Sequence, residues 1–314
     1  MHICFLCSEY PPGAHGGLGS VMQTLGRSLT MRGHSVTIVG FYPVPRTVED
    51  SDRGVRIIRL PHARIFGTGF GVHSARLRAE LARIHSEHPI DILEGPELSL
   101  AMIPSSFPAV KVIRMHGGHY FFAKTLGKKP RPWRSWLERR SFSRADQLCA
   151  VSRHVAEITR VLLNLGNRAI EVLENPVNTT LFAPKPDIAE DPRLVAFVGT
   201  VCEKKGIGSL IEAMPEVVTA VPGVRLAVYG RDWRSPKGAS FTESLRARIP
   251  GWLRDSIEFA GVVRQEDLPA RLARAAVCAY PSFSETHSVS CLERMTIKKP
   301  VVASNAGPFA NIVK

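Results

Sequence analysis

Two glutamates near the carboxyl end of the chain have a spacing suited to an extended ligand. Seven residues separate Glu285 from Glu293. If all the steps between them were helical, they would be spaced by about 12 Å, roughly the reach from a sugar hydroxyl, past a diphosphate, to a ribose. The alternative interpretation is two solvated glutamates on a surface helix. The spacing alone leaves both interpretations open.

The segment between these glutamates offers backbone amides to an anion. It reads Thr286-His287-Ser288-Val289 and leads into a predicted helix at residues 290–297. The first amides of a helix have no partner within it, and the helix dipole adds partial positive charge. The amides of His287, Ser288 and Val289 are therefore predicted to face phosphate groups.

A basic loop follows another apolar run. Residues 194–199 are predicted to form a strand that ends in Gly199, and Lys205 lies in the loop that opens the next helix. A lysine at the carboxyl end of a strand can neutralise a leaving diphosphate. The alternative is that Lys204 and Lys205 are ordinary solvated charges.

A third loop, between the first predicted strand and the first predicted helix, contains Gly16, Gly17 and Gly19. Glycine lets backbone amides approach an anion, and the N-terminus of the following helix attracts negative charge. The string is neither GxGxxG nor the GxxxxGK[ST] of a P-loop. A tight structural turn and a ligand site are both open interpretations.

These loops are positioned by strand-like runs that alternate with amphipathic segments, the pattern of parallel α/β folds. In the first half, strands are predicted at residues 3–7, 35–39, 55–60, 90–94, 109–115 and 147–151, and helices at 20–32, 74–85 and 134–144. In the second half, strands are predicted at residues 194–199, 225–229, 257–260, 277–280 and 301–304, and helices at 207–220, 266–275 and 290–297.

A proline-rich stretch at residues 175–186 separates the two halves, because proline removes an amide donor and discourages regular structure. The 314 residues suffice for two domains, at roughly 100–200 residues each. We predict domains at residues 1–178 and 179–314. Two doubly wound sheets joined by a short linker leave a cleft between the carboxyl ends of their strands, where such sheets bind ligands.

Composition narrows the class of protein. Hydrophobic residues make up 44% and charged residues 22%, which is typical of a globular chain. The apolar runs are strand-sized, well short of a membrane span. The N-terminus enters a strand pattern without a basic leader, so a cytoplasmic protein is expected. The six cysteines lie in apolar contexts and are predicted to be buried free thiols, including the CxxC string of Cys4 and Cys7.

The net charge of +13 indicates anionic partners: nucleotide phosphates, nucleic acid or an acidic membrane surface. Charge alone does not choose among them. A nucleic-acid binder would show a known module, or aromatic and basic motifs interleaved on a sheet, and the sequence shows neither. No nucleic-acid partner is therefore expected.

The motifs together resemble the retaining GT-B glycosyltransferases of the glycosyl-group-1 type, also called family four, which include glycogen synthase and many bacterial polysaccharide and lipid glycosyltransferases. The resemblance is carried by the glycine loop, the loop from Gly199 to Gly206, the Glu285-x7-Glu293 motif and residues 300–304. It covers essentially the whole chain. It implies two Rossmann-like domains that face a cleft, the acceptor-side domain at residues 1–178 and the nucleotide-sugar-binding domain at 179–314.

The resemblance also implies roles for individual residues. His116 matches a family histidine near the reacting sugar; taken alone, it is more often a satisfied histidine at a strand end, and with His119 it makes only a weak metal motif. Glu285 would touch hydroxyls of the transferred sugar, Glu293 would hold the ribose, and Lys205 would bind the donor phosphates. The expected catalytic residues are His116, Lys205 and Glu285, and the expected donor-binding residues are Gly16, Gly17, Gly19, Gly199, Thr200, Lys205, His287, Ser288, Val289 and Glu293.

The implied reaction is hexosyl transfer from a nucleotide diphosphate donor to a glycan or lipid-linked acceptor, with retention at the anomeric carbon. The sequence shows no DxD-like acidic cluster suited to a metal-bridged diphosphate. Lys205 and helix N-termini are therefore expected to supply the positive field, with no metal and no cofactor.

The chain departs from the family pattern in three places. Thr200 stands where many members carry an arginine that pairs with the diphosphate, and Lys204 or Arg231 could substitute for it. Thr286-His287-Ser288 replaces the common pattern of small and aromatic residues but leaves the backbone amides in place. The family continues beyond Lys314, so the C-terminal end is expected to be incomplete.

Two other function classes are open. An NAD(P)-dependent oxidoreductase shares the Rossmann architecture, yet it should show GxGxxG and an acidic residue about 20 positions on, which the first turn does not fit. Thr200 and the short C-terminus favour a non-catalytic basic binding protein with a degenerate transferase fold. Binding of a nucleotide sugar without turnover would favour this class.

The stretch at residues 119–136, with Arg139 and Arg140 beyond it, combines aromatic side chains with seven Lys and Arg residues. Basic residues near an anionic leaflet contribute about 1 kcal/mol each, and aromatic rings settle at headgroup depth. An anionic membrane surface is therefore a further predicted partner, at the inner face of a membrane. The alternative is a solvated basic loop with its aromatic residues packed inward.

Overall fold

The computed structural model describes residues 1–13, 16–62 and 69–313. It contains two compact units, Met1–Pro176 and Val177–Lys314, which we call unit 1 and unit 2. The chain passes from one to the other at the start of the proline-rich stretch.

Unit 1 is built on a mainly parallel sheet. Its described strands are β1 (His2–Leu6), β2 (Ser35–Tyr42), β3 (Val48–Asp52), β4 (Val55–Pro61), β5 (Ile92–Gly95), β6 (Val110–Met115), β7 (Gln147–Ala150) and β8 (Glu171–Val172). They lie in the order β3-β4-β2-β1-β5-β6-β7-β8. Neighbours pair parallel, except β3, which runs antiparallel to β4. Because β2 lies on one side of β1 and β5 on the other, the strand order reverses direction at this point.

The helices of unit 1 connect these strands. They are α1 (Gly17–Met31), α2 (Gly69–Glu87), α3 (His119–Thr125), α4 (Pro132–Phe142) and α5 (Arg153–Leu163). β1 is buried along its whole length, as expected for a parallel strand covered on both faces.

Several elements of unit 1 differ from the sequence prediction. α1 begins at Gly17 instead of residue 20, because Leu18 and Met22, four positions apart, already belong to its inward face. The sequence does not predict β3, since Val48–Asp52 is a polar strand that depends on pairing with β4. It also does not predict α3 or α5. The start of α5 is capped by Ser152, whose hydroxyl accepts a hydrogen bond from the Val155 amide at 3.3 Å.

Unit 2 has a parallel sheet as well. Its described strands are β9 (Asp191–Val198), β10 (Arg225–Tyr229), β11 (Ile257–Gly261), β12 (Ala275–Tyr280) and β13 (Val301–Ala303), in the order β11-β10-β9-β12-β13. Its helices are α6 (Ile207–Ala220), α7 (Phe241–Arg246), α8 (Leu268–Arg274), α9 (Val289–Thr296) and α10 (Phe309–Ile312).

Both faces of the unit 2 sheet are covered. On β9, Ala196 belongs to one buried cluster and Phe197 to another, and on β10 the same division separates Ala227 from Val228. Successive side chains of a strand point to opposite faces, so each face packs against its own layer. The predicted α/β fold of Rossmann-like, doubly wound units is confirmed.

Two further expectations concern membrane helices and cysteines. Within the described ranges, no helix combines the length and the apolar character needed to cross a bilayer. All six cysteines occupy described positions and are buried free thiols, as predicted. Burial raises the pKa of both Cys4 and Cys7 to about 12, so their CxxC string belongs to the core.

Candidate active site

The carboxyl ends of β9 and β12 carry the two distinctive loops of unit 2. β9 pairs with β10 on one side and with β12 on the other. Such a reversal of strand order is where open α/β sheets bind ligands. The loop after β9 contains the basic residues, and the loop after β12 contains Glu285. The strand order therefore brings together two loops that lie far apart in the chain.

The two loops are joined through their backbones. The amide of Phe283 donates a hydrogen bond to the Lys204 carbonyl at 2.9 Å. Gly206 approaches Pro281 so closely that a Cβ at position 206 would lie 1.8 Å from the Pro281 carbonyl oxygen, and its φ is 67°. Only glycine fits both restrictions. This contact holds the basic loop against the Glu285 loop.

Lys205 and Glu285 form an ion pair between Nζ and Oε1. Ser282 Oγ donates a second hydrogen bond to the same carboxylate oxygen at 3.2 Å. The side chain of Lys205 is 19% exposed and that of Glu285 is 9% exposed. The interpretation of these two residues as solvated charges is therefore wrong.

Further positive charge surrounds this pair. Burial, and then the charge of Lys205, lower the pKa of Lys204, and Arg231 acts in the same direction. Arg231 lies beside the loop, because its carbonyl accepts a hydrogen bond from the Val201 amide at 2.9 Å. Thr200 is half-buried in the same loop. Lys204 and Arg231, the two residues that could substitute for an arginine at position 200, thus lie in or beside the loop that contains Thr200.

Glu293 lies in α9. The helix begins at Val289, so only the last four steps from Glu285 to Glu293 are helical. The estimate of about 12 Å for a continuous helix therefore does not apply. Glu293 is 7% exposed, and burial raises its pKa to about 8. The interpretation of Glu293 as a solvated surface residue is also wrong.

The start of α9 is anchored at the ends of two strands. The Tyr280 hydroxyl donates to the Ser290 carbonyl at 2.7 Å, and Ser290 Oγ donates to the Val198 carbonyl at 3.3 Å. His287 and Ser288, which precede the helix, are both buried. The first amides of α9 are thereby held at the carboxyl ends of β9 and β12, where a helix N-terminus favours an anion.

In unit 1, His116 follows β6 and borders a narrow crevice at the carboxyl edge of the sheet. Leu18 and Met22 of α1 line the same crevice, together with Glu94 and Arg114. Glu94 and Arg114 form a buried ion pair, with Nε 2.6 Å from Oε1. The crevice lies where the order of strands reverses between β1 and β5. The structure thus brings His116 next to the start of α1.

The predicted glycine loop is only partly a loop. Gly16 precedes α1, and its amide donates a hydrogen bond to Glu9 Oε2 at 2.9 Å. Gly17 and Gly19 belong to the first turn of the helix. Residues 14 and 15 of this loop lie outside the described part of the chain.

Comparison with known proteins assigns the family. Residues 15–181 match the family model described as Glycosyltransferase Family 4, and residues 192–314 match the model described as Glycosyl transferases group 1. The chain belongs to glycosyltransferase family 4. This membership separates it from NAD(P)-dependent oxidoreductases.

Relatives and solved structures of this glycosyltransferase agree with the assignment. It is 26% identical to a glycogen synthase of Mycobacterium tuberculosis, over all of this chain and 80% of the relative. It is 25% identical to a GDP-mannose-dependent alpha-(1-6)-phosphatidylinositol monomannoside mannosyltransferase of Mycolicibacterium smegmatis, over 96% of this chain and 79% of the relative. The structure of sucrose-phosphate synthase from Thermosynechococcus elongatus superposes with a TM-score of 0.81 at 20% identity, over 100% of this chain and 84% of that one, which supports the GT-B fold.

Two buried glutamates support the loop after His116, and the sequence motifs do not single them out. Glu97 is 3% exposed and Glu138 is 1% exposed. A Cβ at Gly118 would lie 1.8 Å from Glu138 Oε1 and 2.9 Å from Glu97 Cγ. Glu138 Oε2 accepts a hydrogen bond from the Tyr120 amide at 3.0 Å. Both side chains therefore pack directly beneath the glycine loop that follows His116.

Burial governs the protonation of these two carboxyl groups. It raises the pKa of Glu97 to about 8, with a further contribution from the charge of Glu138. It raises the pKa of Glu138 to about 7. The helical period could have indicated the burial of Glu138 from the sequence. Glu138 lies three positions after Ser135 and four before Phe142, and all three residues are buried on the inward face of α4.

The basic and aromatic stretch contains both buried and exposed aromatic side chains. Phe121 of α3 is 1% exposed and belongs to the core, whereas Trp133 and Trp136 of α4 are 55% and 46% exposed. His119 accepts a hydrogen bond from the Arg131 amide at 2.7 Å.

Across the part of the chain that the structure describes, no group of three His, Cys, Asp or Glu side chains is arranged to hold a metal ion.

Proposed function

We propose that this glycosyltransferase moves a hexosyl group from a nucleotide-diphosphate donor to a glycan or lipid-linked acceptor, with retention of anomeric configuration and without a metal ion. The observation that carries the proposal is the Lys205–Glu285 ion pair at the carboxyl ends of β9 and β12. It places a cation and a carboxylate together at the point where α/β sheets bind ligands. The mannosyltransferase relative, which is named as GDP-mannose-dependent, supports a nucleotide-sugar donor.

In this proposal unit 2 holds the donor. Lys205 binds the diphosphate, Glu285 accepts hydrogen bonds from sugar hydroxyls, and Glu293 accepts them from the ribose. The other donor-binding groups are the backbone of Gly199 and Thr200 and the amides of His287, Ser288 and Val289. Gly16, Gly17 and Gly19 of unit 1 are the remaining donor-binding residues of the proposal.

Donor binding changes the partner of Lys205. In the structure its ammonium pairs with Glu285. An incoming diphosphate carries more negative charge than one carboxylate and competes for the same ammonium. Lys205 then turns to the phosphate, and Glu285 is released to accept hydrogen bonds from the sugar. The ion pair thus holds both side chains near the positions that the proposal gives them in the donor complex.

The chemical step breaks one bond and forms another on the same face of the sugar. The bond from the anomeric carbon to the β-phosphate oxygen breaks, and the acceptor oxygen bonds to that carbon. The acceptor proton passes to the departing phosphate, so no protein base is required. Lys205 and the amides at the start of α9 stabilise the charge that develops on the phosphate. His116 is the catalytic residue that the proposal assigns to unit 1.

The acceptor side of the proposal concerns unit 1. Trp133 and Trp136 are exposed among basic residues, which supports contact with an anionic membrane surface at its cytoplasmic face. The mannosyltransferase relative is named for a phosphatidylinositol-based acceptor. Flotation with neutral and anionic liposomes tests the contact. Equal partitioning to both vesicles, or no binding to either at low salt, would contradict it.

The donor proposal is tested by thermal shift with UDP-, GDP-, ADP- and TDP-sugars, followed by transfer assays with the responding donor. A ligand that binds only the folded state raises its stability, so one nucleotide should raise the melting temperature above the others. Proton NMR of the product reports whether the anomeric configuration is retained. If a nucleotide sugar binds but no acceptor of any class receives the sugar, the result would favour the non-catalytic binding protein instead.

A further inference from the structure

A cavity in unit 1 takes no part in the proposed donor site. Its volume is about 280 Å³. It lies among the first half of α2, the short turn at Ser99–Met102 and the end of α4. Arg78, Arg140 and Arg144 are among the residues that line it.

The three guanidinium groups are held around the cavity by backbone carbonyls. Arg78 Nε donates to the Ser74 carbonyl at 3.2 Å. Arg140 Nε donates to the Ala101 carbonyl at 3.2 Å. Arg144 Nη1 donates to the same Ala101 carbonyl at 3.3 Å. Arg144 Nη1 also donates to the Ile103 carbonyl. Among the described residues, these bonds use only some of the five N–H donors of each guanidinium.

Within the described residues, no acidic side chain balances their positive charges. Among the described residues, no carboxylate forms an ion pair with any of the three arginines. The pKa of Arg144 is lowered by burial and then by the charges of Arg140 and Arg78, so the three groups repel one another. A bound anion would relieve this repulsion, and a phosphate would do so with bidentate hydrogen bonds.

An aromatic wall extends outward from one lining residue of the same cavity. Phe70 lines it and contacts two exposed tryptophans, with ring centroids 5.5 Å from Trp133 and 6.5 Å from Trp136. The two indoles stack at 5.1 Å. Arg140 lies over the Trp136 ring at 5.3 Å, a cation–π contact that connects the basic and aromatic parts. Such a wall accommodates the carbon part of a ligand whose charge is met by the arginines.

We propose that this cavity binds the phosphate group of a phosphate ester, with Arg78, Arg140 and Arg144 around the phosphate and the Phe70–Trp133–Trp136 wall against its organic part. The volume is slightly below the roughly 300–1,000 Å³ of pockets for drug-sized ligands, which suits a small phosphate ester or one lipid headgroup. The site is separate from the Lys205–Glu285 site and does not depend on sugar transfer.

The direct test is titration of the purified protein with glycerol 3-phosphate, followed by calorimetry and tryptophan fluorescence. The parent protein should bind it, and the double variant Arg140→Gln/Arg144→Gln should bind at least about tenfold more weakly, because charge-assisted hydrogen bonds are lost. Arg78→Gln is a second variant with little risk to folding, since the hydrogen bond of that side chain among the described residues goes to its own helix. It should weaken binding in the same direction.

Arg139→Gln is the control for the loss of one positive charge near the cavity, because it lies in the same helix as Arg140 but outside the cavity lining. It should bind glycerol 3-phosphate as the parent does. Unchanged affinity in every variant, equal loss in Arg139→Gln, or no binding to the parent protein would each overturn the proposal.

Vesicles distinguish the two sources of the phosphate. Phosphatidylcholine vesicles with and without phosphatidylglycerol are compared for the parent and the same variants. A lipid headgroup is identified if the double variant loses far more of the preference for phosphatidylglycerol than Arg139→Gln, which removes one charge of the predicted membrane-binding stretch. A soluble ester is identified if only glycerol 3-phosphate binding falls. Both results support the phosphate site, and nucleotide-sugar affinity should be unchanged in every variant.

Discussion

The ammonium of Lys205 neutralises the carboxylate of Glu285, although 80 positions separate them in the chain. They meet because β9 and β12 are neighbouring parallel strands, and because the loops that follow are joined by the Phe283–Lys204 hydrogen bond. Neither side chain is therefore a solvated surface charge. The pair therefore supplies the first test of the site.

Lys205→Ala should reduce sugar transfer by at least about 100-fold, the usual cost of removing a group that stabilises developing charge. Steady-state turnover with the donor identified by thermal shift measures it. Lys237→Ala removes an exposed lysine of the same unit and serves as the control, with unchanged turnover expected. Turnover within a few-fold of the parent in Lys205→Ala would refute the role.

Glu285→Ala and Glu293→Ala should affect different kinetic constants. Loss of Glu293 removes hydrogen bonds to the ribose in every bound state, so nucleotide affinity should fall by about tenfold or more. Loss of Glu285 should act mainly on kcat, through the transferred sugar. Calorimetry with the nucleoside diphosphate, combined with kcat and KM, separates the two effects. Parent-like transfer by Glu285→Ala would show that the site is wrongly assigned.

Transfer should survive EDTA, because the proposal meets the phosphate charge with Lys205 and backbone amides. The measurement compares initial rates of protein dialysed against EDTA with those after addition of magnesium or manganese. Rates should agree within experimental scatter. A loss on chelation that either cation restores would replace this mechanism with a metal-assisted one.

The buried carboxyl groups of Glu97 and Glu138 make stability depend on pH. Their pKa values are about 8 and about 7 in the folded protein, against 4.5 as the ordinary value. The folded state therefore holds protons that the unfolded state releases, and the contribution of these two groups to stability is full below about pH 4.5 and is lost as pH rises toward 8. The melting temperature should be several degrees lower at alkaline pH than at mildly acidic pH.

Glu138→Gln should flatten this pH profile, because the amide keeps the shape and the acceptor for the Tyr120 amide but does not ionise. Glu157→Gln changes an exposed glutamate of the same unit and should leave the profile as it is. Differential scanning calorimetry across the pH range provides the comparison. Identical profiles for Glu138→Gln and the parent would contradict the assignment of this carboxyl group.

Gly118→Ala should lower both stability and turnover. Its Cβ would collide with Glu138 Oε1, and forcing the loop outward costs about 1–3 kcal/mol and displaces His116. Gly69→Ala, at a position with no atom within 4 Å of an added Cβ, is the control. The melting temperature and kcat report the two effects, and parent-like values for both in Gly118→Ala would show that the loop tolerates the change.

Local patterns in the sequence predict much of this fold. Apolar runs of strand length and the helical period locate the main strands of both units and α6 within a few residues, because burial on a strand or helix face repeats every two or 3.6 positions. The same patterns place Lys205 and Glu285 directly after strands. They fail for β3, whose polar residues form a strand only by pairing with β4. They also fail for the start of α1, where the glycines have low helix propensity.

By itself the sequence determined which residues follow the strands and which family they resemble. Only the tertiary structure decided that Lys205 pairs with Glu285, that Glu293 is buried, and that Glu97 and Glu138 meet beneath Gly118. Strand order, and hence the meeting of distant loops, is set by which sheet arrangement covers both apolar faces. The pKa of a carboxyl group depends on how completely that packing removes it from water. Both are properties of the assembled layers, and no local pattern of residues encodes them.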